Sequence, residues 1–132
     1  MKQMWSEDKV MELTQIFKSV LDEDRNPIVI CNLDNIIVYM NPSACKSYSK
    51  GSSLLGENIL DCHNSKSKML IKIVLDWFKK DSSNNRIFMY YDEKHNKDLY
   101  MVALRDENGD LIGYYEKHES RERETEQAYH VE

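Results

Sequence analysis

The spacing of apolar residues changes period several times along the chain, and each change marks an element. From about Trp5 to Leu21, Val10, Leu13, Phe17, Val20 and Leu21 recur on one helical face. Ser6 is placed to cap that helix, and Glu7 and Asp8 suit its positive N-terminal end. "DEDRNP" breaks it. "PIVICNL" and "IIVYMN" are rich in β-branched residues and flank Asp34-Asn35, which predicts a β-hairpin. Asn41-Pro42 then opens a short helix to about Tyr48, since Asn caps well and Pro suits the first helical position.

The second half repeats the alternation. "SKGSS" reads as a turn and "LLGENIL" as an irregular segment punctuated by Gly56. From Ser65 to Lys80, Leu70, Ile73, Val74, Trp77 and Phe78 form a helical stripe, with Lys79 and Lys80 at the end where positive charge is favoured. "RIFMYY", "DLYMVALR" and "LIGYYEK" predict three more strands, the last two joined through Asn108-Gly109, a two-residue hairpin signal. The tail "ESRERETEQ" has no apolar stripe and reads as a solvated helix or a frayed end. The order predicts an α+β domain: a five-stranded antiparallel sheet with helices on one face and an extra N-terminal helix. Its expected division is residues 1–24 for that helix, 25–118 for the domain and 119–132 for the charged tail.

Composition narrows the class of function. The 132 residues suit one domain, and a net charge of -5 argues against nucleic acid, which is met with a basic face. No apolar run approaches the roughly 20 residues that span a bilayer, and the N-terminus turns polar too early for a secretory signal. Cys31, Cys45 and Cys62 are odd in number and lack CxxC spacing, which suits reduced thiols in a cytoplasmic protein. No nucleophile elbow, phosphate loop or paired-carboxylate signature is present, so the chain does not read as an enzyme.

Several of these segments resemble a known family. "PIVICNLDNIIVYMNPSACKSY" is similar to the opening of a PAS sensor domain, "LLGENIL" to the segment before its connecting helices, and "YMVALRDENGDLIGYYE" to its closing hairpin. "ILDCHNSKS" is similar to PAS domains that occur beside hemerythrin-like domains in bacteria and archaea. The Asp-Ile-Thr motif that usually ends the last strand is replaced by about Ser120, Arg121 and Glu122, and no output segment is visible.

The resemblance implies a sensory module that binds a small molecule or a protein partner between sheet and helices. In that pattern Val29, Cys31 and Met40 point inward from the first hairpin, and Tyr48, Met89, Met101 and Ala103 complete a pocket. His63 and Ser65 fall in the ligand loop. His63 is either the axial ligand of a haem, making a redox or gas sensor, or a residue that packs at a helix start. Flavin of the light-sensing type is not expected, because Cys62 falls at the wrong offset from Gly56. A metal site is not expected either, since adjacent Cys62 and His63 chelate poorly. "HNSKSK" offers either an anion site or ordinary capping by Asn64 or Ser65. The remaining alternative is a dimerisation module with a filled core. The N-terminal helix, with Trp5, Phe17, Tyr114 and Tyr115, would form the homodimer face, or else the helix folds back on its own sheet.

Overall fold

The computed structural model describes residues 5–130; the outermost positions of the expected 1–24 and 119–132 segments lie outside the described residues. Helix α1 spans Glu7–Glu23, and the Ser6 hydroxyl accepts from the Lys9 amide. Strands β1 (Ile28–Asn32) and β2 (Ile37–Met40) form the first hairpin, in which the Asn32 side chain accepts from the amides of Asp34 and Ile36. Helix α2 (Pro42–Ser47) and two 3-10 turns, Gly51–Leu54 and Ile59–Cys62, lead to α3 (Ser65–Lys80). Strands β3 (Arg86–Asp92), β4 (Lys97–Arg105) and β5 (Leu111–Ser120) complete an antiparallel sheet in the order β2-β1-β5-β4-β3.

The first and last strand segments therefore meet at the middle of the sheet. Their contact needs Gly113, because a Cβ there would lie 2.5 Å from the Cys31 carbonyl oxygen. One face of the sheet carries the core, with Val29, Cys31, Met40, Met101 and Tyr114 packed against Ala44, Leu54, Ile59, Ile71, Val74 and Phe78.

The expected elements are present, with five differences. The buried stripe of α3 is Ile71, Val74, Leu75 and Phe78, whereas Leu70 and Ile73 are exposed. Ile71 and Leu75 form an equally regular stripe with Val74 and Phe78, and packing against the sheet selects it. The β4–β5 connection is the five-residue segment Asp106–Asp110 rather than a two-residue turn. Asp106 accepts from the amides of Asn108 and Asp110, and Gly109 takes φ +84°. β5 runs on to Ser120, past the expected end at Lys117, and the tail is then irregular, as the frayed-end alternative has it. Tyr114 is fully buried in the core and cannot lie on an outer dimer face. None of the residues of α1 is buried, so this helix does not fold back over the sheet.

Two polar residues tie these pieces together. Buried Asn41 accepts from the amides of Ile28 and Ala44 and donates to the carbonyls of Leu21 and Asn26. It thus joins the end of α1, the start of β1 and the start of α2. Arg105 donates to the carbonyls of Phe78, Asp81 and Asn84, supplying partners for the C-terminal end of α3. Asn41→Ala leaves two buried amides without their acceptor, and is expected to lower unfolding free energy by about 2–4 kcal/mol in a urea titration. Asn41→Asp keeps the acceptor but turns a buried carboxylate oxygen on the carbonyls of Leu21 and Asn26, so it is expected to be destabilising as well.

Candidate functional site

The inner face of β5 carries an acidic residue where apolar packing is expected. Side chains of one face alternate along a strand, so Glu116 shares the inward face of Tyr114. In register it sits between Val29 on β1 and Met101 on β4, at the middle of the sheet. It is 6% exposed. No hydrogen bond is made to its carboxylate by any described residue, and no fully enclosed polar side-chain atom lacks a partner. The carboxylate therefore faces open space inside the fold.

That space is a cavity of about 130 Å³ between the sheet and the segments that precede α3. Val29, Ile37, Met40, Leu54 and Ile59 form its apolar wall; Tyr48, Cys62, His63 and Glu116 bring the polar atoms. A smaller lobe of about 70 Å³ adjoins it beneath α3, bounded by Met89, Tyr90, Leu99, Met101 and Ile71, and it shares His63 and Glu116. Each exceeds the roughly 10–15 Å³ that one water needs.

Local sequence explains how His63 reaches this place. Asn58 caps the 3-10 turn Ile59–Cys62, accepting from the Leu60 amide, and Asn64 caps α3, accepting from the Ser67 amide. His63 lies between the two caps, and its Nδ1 is 2.7 Å from the Ile59 carbonyl oxygen. A carbonyl only accepts, so Nδ1 carries the proton and donates. The other ring nitrogen, Nε2, makes no hydrogen bond to a described residue. Burial holds the Glu116 carboxyl above its ordinary value, and the nearby imidazole partly offsets that.

Of the residues expected to bind a ligand, Val29, Met40, Tyr48 and His63 line the main cavity. Met89 and Met101 line the adjoining lobe. Three do not reach either. Cys31 is buried beside Tyr114, its thiol pushed up to about 12 by burial, so it serves as a small apolar core residue. Ala103 packs against the core and Ser65 is exposed on the first turn of α3. The capping alternative accounts for "HNSKSK" through Asn64. Haem does not fit: the main cavity is below the roughly 300–1,000 Å³ of sites for drug-sized molecules, and a tetrapyrrole is bulkier still.

Glu116 was not among the expected residues. Its signal was the period-two pattern of "YYEKH", in which Tyr114, Glu116 and His118 share a face. A further depression of about 270 Å³, bounded by Asp92, His95, Lys97 and His118, is larger but more polar. Within it His95 Nδ1 lies 2.7 Å from Asp92. No cluster of three metal-ligating side chains occurs among the described residues.

Solved structures with the same arrangement decide the fold. A C-terminal domain from Streptococcus mutans is 23% identical, with a TM-score of 0.65 over 81% of this chain and 84% of that one. The PAS domain of a protein from Colwellia psychrerythraea is 14% identical, with a TM-score of 0.61 over 82% and 96%. The fold is that of a PAS domain. A sensory box sensor histidine kinase from Vibrio cholerae is also similar, 16% identical with a TM-score of 0.56 over 86% and 96%. No protein-family model matches the sequence, and no curated protein matches it. In this PAS fold no helix among the described residues is long and apolar enough to cross a membrane.

The site carries a pH signature with a definite sign. The folded-state value of Glu116 is raised above 4.5, so the folded chain keeps this proton to higher pH than the unfolded chain does. The stability this proton contributes is present in acid and lost as pH rises through the folded value. Glu116→Gln removes that loss. It is expected to raise unfolding free energy by about 1–3 kcal/mol at pH 7, with the gain shrinking toward zero near pH 4. Thermal unfolding of both proteins across that range measures it.

Proposed function

We propose that this chain is a sensory module that holds a small molecule between its sheet and helices. The observation that carries this reading is the cavity with Glu116 at its back, a buried carboxylate that accepts no hydrogen bond from the described residues. A carboxylate in that position costs stability, and a filled core of the same fold would replace it with an apolar residue. The Vibrio cholerae structure, named as a sensor histidine kinase, supports a signalling role by analogy of fold. The Cys62–His63 segment keeps the resemblance to PAS domains beside hemerythrin-like domains, and we read the chain as a module of that kind. Mass spectrometry of small molecules released on denaturing the purified protein tests the reading. A stoichiometric compound is expected from the native chain and is lost in Leu54→Phe, which fills the wall while keeping the fold. If the native protein releases nothing and gains no stability from any added metabolite, the reading fails.

A homodimer formed through α1 is the second reading, and a separate observation favours it. Val10, Ile16, Phe17 and Val20 are 51%, 52%, 57% and 65% exposed on a helix that buries none of its residues. Apolar side chains gathered on one element in this way seek a partner surface. Among the described residues, the C-terminal end of α1 is fastened through Asp22 to the Tyr39 hydroxyl and Leu21 to Asn41. Light scattering is expected to give a dimer for the full chain and a monomer when residues 1–20 are removed. A monomer in both contradicts it.

A further inference from the structure

We propose that the cavity takes a compact ligand with a single protonated amine, its charge against Glu116 and its carbon body against the apolar wall. This rests on the reading that the cavity is the ligand site, and adds the class of molecule. Three observations point the same way.

The first is the carboxylate. Glu116 is more than nine-tenths buried and makes no hydrogen bond to a described residue, so its demand for a donor is unmet among the described residues. Desolvated carboxylates are satisfied by cations or by several donors. The second is the chemistry of the other polar atoms. Nδ1 of His63 is taken up by the Ile59 carbonyl, so Nε2 is the ring atom that turns to a ligand, and it accepts when the ring is neutral. Tyr48 lines the same wall, and its hydroxyl oxygen can accept as well as donate. A primary ammonium offers three donors, which matches a carboxylate, an imidazole nitrogen and a phenol oxygen. An anionic ligand would instead set a second negative charge beside Glu116. The third is size. About 130 Å³ with an apolar wall admits a short alkyl chain or small ring and excludes a drug-sized molecule. The net charge of -5 also favours approach of a cation.

The test is a size-matched series, butylammonium, 1-butanol and butyrate, titrated into the full chain by calorimetry. Butylammonium is expected to bind at least tenfold tighter than either of the others. Its affinity is expected to fall at least tenfold in Glu116→Gln, which preserves shape and removes charge. Equal binding to Glu116→Gln overturns the proposal, because the amine would then sit on surface carboxylates. Butanol or butyrate binding as well as the amine overturns the class of ligand, while the cavity remains a ligand site. No binding by any of the three also overturns the amine proposal. The release experiment on the native protein then decides the sensory reading by itself. Should Glu116→Gln not fold, the comparison of the three probes on the unaltered chain still decides the class.

Discussion

A buried carboxylate that accepts no hydrogen bond from the described residues, at the middle of the inner sheet face, is the constraint around which this molecule is organised. Glu116 stands between Val29 and Met101 on the neighbouring strands, where a close-packed fold would set a third apolar residue. The helices cannot close directly over it without leaving a desolvated charge. The chain instead lays down two short 3-10 turns and a histidine, and keeps space between them and the sheet. The cavity is thus a consequence of one acidic residue on the inward face as much as of the PAS topology.

A cavity of fixed shape needs a rim that does not collapse into it. Three features supply that stiffness, each through backbone groups. Asn41 locks β1, α2 and the end of α1 at one corner. Arg105 fastens the C-terminal end of α3 to β4 at another. Gly113 lets β1 and β5 approach closely where the terminal halves of the chain join. After β5 the chain is held again, since Arg121 forms a two-contact ion pair with Asp98 and stacks over Tyr91 at 4.1 Å. That anchor fixes the chain just beyond the end of the sheet.

The order of elements was legible in the sequence because periodicity and capping residues agreed at every boundary; Ser6, Asn41 and Asn64 all act as caps. The side of α3 that is buried was less legible. Met69, Leu70, Ile71, Ile73, Val74 and Leu75 support two overlapping stripes, and only packing against the sheet selects between them. The apolar half of the site followed from strand alternation at Val29, Met40 and Met101. Cys31 obeys the same alternation but packs under Tyr114, out of reach of the cavity. Glu116 escaped notice because an acidic residue in a strand is read by default as solvent-facing, and its burial depends on β5 lying in the middle of the sheet. That position follows from which strands pair, and strand pairing is a long-range property that no local pattern shows.

The direct measurement of the central claim is the titration of the Glu116 carboxyl carbon by NMR, with and without butylammonium. The carboxyl is expected to titrate above the ordinary glutamate value of 4.5 in the free protein, and to move down when the amine neutralises its burial cost. A carboxyl that titrates in the ordinary glutamate range and does not respond to the amine would contradict the account.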